Sequence, residues 1–497
     1  MPRIAVVGGG LGGLTAAALL AKRGYRVTLI EKHRVVGGAV TALHPREGLT
    51  VETALRTMPV PASDPDLASV FEELEIEQNL ELVKPEEFFR VTSKDFDFTM
   101  PWGRDEAVAA LSERYPSDAD GIAEYFDLID SLAEELHRFR RAKWLQRAFC
   151  GLCFSQLRKY RNLAVREVLD DLLESEELKL VLNANVAQYH GSSSTLSILA
   201  HAAGQSAYYQ HGGCYVKGGA QNLVDHLAHV IRHNGGDILT RTEAISIDVD
   251  DGRVRTITYR NASGTVTSRT DAVVSNLSPE QSYELASQKH KEERTAADSL
   301  LSVYLGFDKD LRSVYGKQAF CQFMLREFAG IDDYDAAIEG DVGERGFCFA
   351  DYSQLDSALC EEGTSYGLVV APDFLARYEK LDDEQYRQKK EEAVESFLAA
   401  LEERYPGIRD RVEYSEVGTP LTLQRYLRTP QGTPYGFAPT PEQYFRRPAV
   451  SSECVKNLFF ASAWAISGGF APVMAVANLC CERIAKQAPP PVVEAGE

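Results

Sequence analysis

The sequence has no uninterrupted run of about 18 apolar residues, the length that a transmembrane helix needs. Its first apolar run starts at Ile4, is soon interrupted by glycines, and lacks the charged flank and cleavage site of a secretory signal. The nine cysteines are an odd number, scattered from Cys150 to Cys481, and do not resemble a disulfide framework. We therefore expect reduced thiols and a cytoplasmic protein.

Positive charge and metal ligands are also scarce. Lys and Arg total 53 against 73 Asp and Glu, and the net charge of −20 argues against a general nucleic-acid-binding role. Cys150 and Cys153 form a CxxC pair, but no second pair completes a zinc site, so we expect no metal centre. With 497 residues, the chain is long enough for two or three domains.

The opening of the chain has the pattern of a βαβ nucleotide-binding unit. A short apolar strand leads into GxGxxG at Gly8, Gly10 and Gly13, an alanine- and leucine-rich helix follows from Thr15, and a second strand ends at Glu31. Gly8 allows the tight turn, Gly10 lets the backbone approach a pyrophosphate, and Gly13 lets helix and strand pack closely. The helix N-terminus attracts phosphate, and Glu31 can accept hydrogen bonds from ribose hydroxyls. The pattern predicts a dinucleotide site.

A second glycine pair, Gly37 and Gly38, follows shortly after Glu31. The stretch EKHRVVGGAVTA resembles the continuation found in two-domain FAD oxidoreductases, where the second pair lets a loop pass close to the flavin pyrophosphate. A plain nicotinamide dehydrogenase has no such need. The resemblance therefore implies FAD.

Four further segments extend this resemblance to the middle and the end of the chain: YVKGGAQNL, DAVVSN, GTPLTLQRYLRTPQGTPYGF and FFASAW…SGGFAP. Their order is similar to that of the phytoene desaturase-like FAD superfamily, in the branch of carotenoid desaturases, carotenoid isomerases and retinol saturases. The final helix is expected to point its N-terminus at the flavin. The resemblance implies that FAD is held by Gly8, Gly10, Leu11, Gly12, Gly13, Glu31, Lys32, Gly37, Gly38, Ala39, Thr57, Met58, Ala244, Asn276, Ser462, Ala463, Gly469, Phe470, Ala471 and Pro472.

Two segments depart from the family pattern. Relatives often carry an acid for the ribityl chain where this chain has Ala461, Ser462 and Ala463, and we expect Ser462 to replace part of that hydrogen bonding. The segment LTVETALRTMP has Glu52 where relatives have Asp, and Ala54 where they have Gly. This segment normally runs along the flavin ring, so the change concerns the substrate side.

The expected fold is α/β: a Rossmann-type FAD-binding domain with an inserted α+β substrate domain. The resemblance implies a discontinuous FAD domain, formed by residues 1–65, 212–290 and 450–487. The segments 66–211 and 291–449 are then the substrate-binding and lid domain. The proline-rich end, residues 488–497, is expected to be disordered.

One basic stretch is anomalous in this acidic chain. Residues 138–161 contain eight Lys and Arg and no Asp or Glu, interleaved with Trp144, Phe149, Phe154 and Leu157. This mixture suits a helix that lies on an anionic membrane surface, where a water-insoluble substrate would be collected. The alternatives are a helix whose apolar side packs on the substrate domain and an interface between protein copies.

Catalytic residues are harder to assign, because a flavin carries most of the chemistry. By position in the motifs, Glu52, Arg56, Arg425 and Tyr435 are candidates to lie near the flavin. Glu52 is the candidate acid or base, and the arginines are candidates to hold a developing charge. For each of them a purely structural role is the alternative, and it is favoured.

The resemblance implies an FAD-dependent oxidoreductase that acts on C–C bonds of a long apolar isoprenoid or polyene, by desaturation, saturation or cis–trans isomerisation. Its partners would be the apolar substrate, an electron donor or acceptor of unknown kind, and a membrane surface that the protein touches peripherally. Two alternatives stay open: a flavin amine oxidase-like enzyme, and a non-catalytic flavin-binding carrier of lipid or carotenoid.

Overall fold

The computed structural model describes residues 1–54, 56–142, 153–289, 292–446 and 449–489. A five-stranded sheet, here the cofactor sheet, is parallel throughout. Its strand pattern is that of a nucleotide-binding fold, since the first strand lies at the centre and the chain crosses over to both sides. In spatial order its strands are Asp237–Leu239, Arg26–Ile30, Arg3–Val7, Ala272–Ser275 and Leu458–Phe460.

Helices and a small sheet cover the two faces of the cofactor sheet, which explains why its strands are almost wholly apolar. On one face, helix Leu11–Lys22 packs against helices Ala220–His233 and Phe470–Gln487. It begins four residues before the predicted Thr15, because the Leu14 N–H already donates to the Gly10 carbonyl at 2.9 Å. On the other face lies an antiparallel sheet with strands Glu243–Asp250, Arg253–Asn261 and Gly264–Arg269.

A seven-stranded sheet, here the substrate sheet, dominates the second half of the molecule. Its neighbours are antiparallel, except that Cys321–Met324 runs parallel to Phe89–Thr92. Helix Asp383–Arg404 covers one face through Phe397 and Leu401. In spatial order the strands are Val412–Gly418, Ser299–Phe307, Ser365–Asp373, Phe347–Asp351, Cys321–Met324, Phe89–Thr92 and Asp97–Met100.

A layer of helices completes this half. The long helix Ala119–Arg141 packs against Ile198–His211, and both contribute to the main core. The cofactor strands all fall within the segments predicted for the FAD domain, and the substrate strands within the inserted segments; the domain limits themselves stay a prediction. Other helices are Pro65–Glu73, Ile76–Asn79, Arg104–Arg114, Ser155–Tyr160, Val165–Leu172, Glu176–Asn183, Pro279–Leu285, Leu311–Tyr315, Ile331–Glu339, Pro420–Leu427 and Pro441–Tyr444.

The basic stretch 138–161 is described only in part. Residues 143–152, with Trp144, Phe149 and Cys150, lie outside the described residues, as do 490–497 of the predicted tail. Phe154 and Leu157 are buried in the main core, so these two side chains pack inside the protein and do not face a membrane. Within the described ranges, no helix is long and apolar enough to cross a membrane. The same ranges hold no cluster of three His, Cys, Asp or Glu side chains suited to a metal ion.

Candidate cofactor and active site

The first glycine turn leaves no room for side chains. A Cβ on Gly12 would lie 1.8 Å from the Ala461 carbonyl oxygen, and a Cβ on Gly13 would lie 2.1 Å from the carbonyl oxygen of Gly8. Gly8 has φ +93°, a conformation that favours glycine. Gly13 therefore packs helix against strand as predicted, and Gly12 brings the helix start against the last strand of the cofactor sheet.

Asn276 fastens this turn to the end of that last strand. Its amide, oriented to satisfy both neighbours, donates to the Ala461 carbonyl at 2.9 Å and accepts from the Gly10 N–H at 3.3 Å. A Cβ on Gly10 would lie 2.6 Å from the Asn276 side-chain amide. Gly10, Leu11 and Gly12 line the cavity at the start of the helix, where the first N–H groups have no intrahelical acceptor.

The second glycine pair lies directly against the first turn. The Gly37 N–H donates to the Gly9 carbonyl at 2.7 Å, and a Cβ on Gly38 would lie 3.1 Å from Cα of Gly10. Gly37 and Gly38 have φ +132° and +61°. The two glycine loops together form a wall of bare backbone, which continues along the cavity through Ala39.

Glu31 lies at the end of its strand, 5% exposed, on the lining of the cavity. Its Oε2 accepts from the Gly9 N–H and its Oε1 from the His33 N–H, both at 2.7 Å. Each carboxylate oxygen has a second lone pair, so Glu31 can still accept from ribose hydroxyls. Lys32 and Ala244 line the cavity beside it. Burial and the nearby Arg428 lower the pKa of Lys32 to about 8.

The C-terminal motif, FFASAW…SGGFAP, forms the other side of the cavity. Ser462 is buried, and its hydroxyl donates to the Leu277 carbonyl at 3.2 Å. Gly469, with φ +103°, precedes helix Phe470–Gln487, whose N-terminus lines the cavity through Phe470, Ala471 and Pro472. Ala463 also lines it. The positive end of this helix therefore faces the same cavity as the glycine turns.

All of these groups border one continuous cavity of about 2820 Å³. That volume is well above the roughly 300–1,000 Å³ of an ordinary ligand pocket. From the glycine loops the cavity passes Thr57 and Met58 and reaches helices Ala119–Arg141 and Ile198–His211. At the far end its lining includes Leu136, Phe139, Ala200, Ala203, Ala207, Tyr208, Leu300, Tyr304, Leu368, Val370, Phe437, Phe445 and Trp464.

Two catalytic candidates meet in the middle of the cavity. Arg56 and Tyr435 both line it, and the two side chains interact electrostatically. Burial raises the pKa of Tyr435 while Arg56 partly offsets this, so the phenol is protonated at neutral pH and can donate a proton or a hydrogen bond. Tyr435 also packs on Gly468, where a Cβ would lie 2.6 Å from its ring.

A pair of buried thiols lies behind Arg56. Cys321 and Cys348 are on neighbouring strands of the substrate sheet, and Arg56 hydrogen-bonds to Cys348. The hydrogen bond from Cys321, together with the guanidinium of Arg56, holds the pKa of Cys348 below its usual value, while that of Cys321 is raised. The thiol pair thus supplies negative charge to a buried arginine. The sequence analysis missed this pair, because neither cysteine lies in a motif.

The geometry does not support a catalytic role for Glu52. This side chain is 1% exposed and is not among the cavity-lining residues. Its Oε1 accepts from the Ala54 N–H at 2.9 Å, and its Oε2 accepts from the Ala220 N–H at 2.6 Å, at the start of helix Ala220–His233. A carboxylate is favourable at a helix N-terminus. These contacts favour a structural role for Glu52, and its catalytic assignment stays a prediction.

Arg425 also lines the main cavity, as Arg56 and Tyr435 do. It is exposed, and it shares a second cleft with Lys32 and His33, next to the strand that Glu31 ends. Tyr208 lines the cavity, and its hydroxyl donates to the Thr57 carbonyl at 3.0 Å. Tyr209 packs in the core.

Residues 11–477 match the family of flavin containing amine oxidoreductases. The chain belongs to this family. The bare glycine walls, the acceptor at Glu31 and the helix N-terminus at Phe470 fit FAD, so the predicted cofactor is confirmed. The protein is an FAD-dependent oxidoreductase with a Rossmann-type fold, as its sequence predicted.

Individual relatives agree with the predicted branch. The chain is 24% identical over 522 residues to all-trans-retinol 13,14-reductase of Danio rerio, covering 96% of this chain and 84% of that protein. It is 24% identical over 488 residues to 4,4'-diapolycopen-4-al dehydrogenase of Metabacillus indicus, covering 95% and 94%. Among solved structures, cyclohexylamine oxidase from Brevibacterium oxydans IH-35A superposes with a TM-score of 0.63 at 14% identity, over 98% of this chain and 99% of that one. A likeness at that identity shows the fold alone.

Proposed function

We propose that this oxidoreductase acts on C–C bonds of a long apolar polyene or isoprenoid, by saturation, desaturation or cis–trans isomerisation. The carrying observation is the continuous cavity, whose lining includes the glycine loops, Arg56 and Tyr435 together with many aromatic and aliphatic side chains among its polar ones. A long, extended apolar molecule matches a cavity of that size better than a small amine does. The relatives named for retinol and diapolycopenal are in keeping with this substrate class.

FAD, when bound, supplies the exchange of hydride with the substrate. The chain must then orient one C–C unit and manage a proton. Tyr435 is the candidate proton donor, because it is protonated and lines the cavity. Arg56 is the candidate for stabilising developing negative charge, since it is a fixed cation at the same point. Tyr208 holds the Thr57 carbonyl and so fixes the loop that carries Arg56.

We also propose that the start of the basic stretch brings the cavity to a membrane surface. Phe139 and Arg140 line the cavity, Phe139 stacks on Phe445 with ring centroids 4.9 Å apart, and Arg140 donates to the Tyr444 hydroxyl at 3.1 Å. These two residues of the basic stretch therefore border the cavity. Such a position suits a peripheral protein that takes its substrate from lipid.

The test is the visible flavin spectrum of the holoprotein without oxygen, before and after adding a polyene in liposomes. Loss of the oxidised spectrum is expected if electrons leave the substrate. If the spectrum does not change, pre-reduced protein should convert the polyene, by saturation if the flavin is reoxidised and by isomerisation if it is not. Reduction by a primary amine, with no response to any polyene, would instead favour the amine oxidase-like alternative.

The proposed roles are tested by Tyr435→Phe against Tyr315→Phe as a matched control. The Tyr315 hydroxyl donates to the Pro406 carbonyl at 3.1 Å, away from the cavity. We expect Tyr435→Phe to lower turnover about 10²-fold with flavin content unchanged, the size of effect typical for a general acid. Equal activity in the two variants would remove Tyr435 from the mechanism.

A further inference from the structure

A cleft of about 420 Å³ opens at the adenosine end of the cofactor site and is rich in positive charge. We call it the basic cleft. The whole chain carries a net charge of −20, so a concentration of cations in one cleft needs a reason. Its lining residues are Lys32, His33, Arg241, Glu243, Arg260, Asn261, Arg425 and Arg428.

These cations come from separate parts of the chain and are held in place by backbone contacts. Arg241 has φ +50°, and its N–H donates to the His33 carbonyl at 2.8 Å. Arg428 has φ +56°, and its carbonyl accepts from the Gln281 amide at 2.6 Å. Both residues adopt a conformation that costs a non-glycine residue free energy, which is typical of functional sites. The backbone at Arg241 and Arg428 is therefore fixed by contacts with other segments of the chain.

The charge in the basic cleft is unbalanced. Five Arg and Lys side chains line it, against the single carboxylate of Glu243, which pairs with Arg428 at 2.5 Å and with Arg260 at 3.5 Å. Burial and repulsion by Arg428 lower the pKa of Lys32 to about 8, so the crowding already disfavours its charged form. A bound anion would relieve that repulsion.

The pyrophosphate of FAD does not account for this charge. It is expected at the first glycine turn and the N-terminus of helix Leu11–Lys22, on the other side of Glu31. The cleft begins only after Glu31, whose backbone is tied to the neighbouring loop through the Thr242 N–H at 2.9 Å. Lys32, His33, Glu243, Arg425 and Arg428 also line the main cavity, so the basic cleft adjoins the adenosine end of the cofactor site. Arg241 and Arg260 line only the basic cleft, beyond that cavity.

We propose that the basic cleft binds the phosphate group of a second ligand, a phosphomonoester, beside the adenosine end of the FAD site. Arginine guanidinium groups match phosphate oxygens with paired N–H donors, and four arginines line this cleft. The cleft is large enough for a nucleotide or a lipid headgroup. The shared chemistry is the phosphate; its source is either a soluble phosphomonoester or an anionic lipid. This proposal does not depend on which substrate the flavin site accepts.

The experiment uses the holoprotein in two arms. Calorimetric titration with inorganic phosphate tests the soluble source. Co-sedimentation with phosphatidylcholine vesicles, with and without phosphatidic acid, tests the lipid source. The variant is Arg241→Gln with Arg260→Gln, two exposed side chains of the cleft. The matched control is Arg253→Gln with Arg255→Gln, which removes the same charge from the same hairpin outside the cleft.

We expect the cleft variant to weaken phosphate or phosphatidic acid binding about tenfold or more, with an unchanged flavin spectrum, while the control binds like the parent protein. Binding of free phosphate points to a soluble ligand, and binding only to the phosphatidic acid vesicles points to a membrane lipid. The proposal is overturned if neither probe binds. It is also overturned if both double variants lose binding equally, because the effect is then one of overall charge.

Discussion

The glycine-loop end of the cavity and the helical layer at its far end treat buried polar groups in opposite ways. At the glycine end, Glu31, Asn276 and Ser462 each hydrogen-bond to backbone groups of another segment. In the helical layer, the side chains of Asn183 and Asn185 are buried and make no hydrogen bond to another described residue. The side chains named at the glycine end are all paired, whereas the helical layer combines paired groups, such as Tyr125 with His201, with two unpaired buried amides.

This difference has an energetic meaning. A buried polar group without a partner costs about 1–3 kcal/mol, so the helical layer carries a penalty that the glycine end avoids. Regions of low local stability are where proteins open and adapt. We infer that the glycine end is preorganised for one invariant ligand, while the far end can adjust to a long apolar one.

Gly12→Ala is expected to have the largest effect of the substitutions, and it acts at the preorganised glycine end. The added Cβ would lie 1.8 Å from the Ala461 carbonyl oxygen and 2.9 Å from the Asn276 side-chain amide, so the helix start must move away from the last strand. We expect the purified protein to lose its flavin, which is measured as visible absorbance per protein. Gly343→Ala is the control, since Gly343 is exposed and a Cβ there would have only Ser396 Oγ nearby, at 3.3 Å. Normal flavin content in Gly12→Ala would show that this packing is not essential.

Glu52→Gln tests a buried carboxylate that lies between the two ends. The amide nitrogen of Gln would face a backbone N–H donor, either of Ala54 or of Ala220, and leave it without an acceptor. We expect the free energy of unfolding to fall by about 1–3 kcal/mol. Activity per folded molecule should hardly change, because Glu52 does not line the cavity. Glu47→Gln, at an exposed position, is the control; a large loss of turnover without loss of stability would restore Glu52 as a catalytic residue.

His201→Gln examines the helical layer. His201 is 1% exposed, its Nε2 and the Tyr125 hydroxyl share a hydrogen bond at 2.7 Å, and burial lowers its pKa from 6.5 to about 3. Between these pH values the unfolded chain binds a proton that the folded protein does not. The free energy of unfolding should therefore fall by about 1.4 kcal/mol for each unit by which the pH is lowered within that window.

In His201→Gln this part of the acid slope should vanish, which urea unfolding across the window would show. His233→Gln, on the exposed end of its helix, should keep the full slope. If both variants keep it, His201 is protonated in the folded protein and the helical layer is more open than its burial indicates.

The sequence predicted the glycine end well, because its constraints are local. A glycine turn, a helix start and an acid at a strand end are each encoded within a few residues, so the cofactor and the five strands could be placed. Ser275 and Asn276 lie far along the chain. They were found only through the DAVVSN motif, which itself contains a strand.

The far end could not be predicted in the same way. Arg56 and Tyr435 were identified as candidates by their motifs, but no local pattern shows that Arg56 lies against Cys348 of the substrate sheet. Arg425 was assigned to the flavin by motif order, and the fold places it on the lining of both the main cavity and the basic cleft. The basic residues that follow Glu31 in sequence were the one available signal for the basic cleft. The arginines that join them from other parts of the chain could not be predicted.

Ser462→Ala should have the smallest effect, and it tests how the glycine end holds FAD. The Ser462 hydroxyl donates to the Leu277 carbonyl at 3.2 Å, so its loss should lower the free energy of unfolding by about 1 kcal/mol. The hydroxyl can also accept a hydrogen bond from the ribityl chain, in place of the acid that relatives carry there. If it does, the Kd for FAD should rise about tenfold, measured by fluorescence titration of the apoprotein, and Ser462→Thr should restore it. If only the stability changes, the helix N-terminus at Phe470 and the backbone of the glycine loops suffice to hold FAD, and the missing acid has not been replaced.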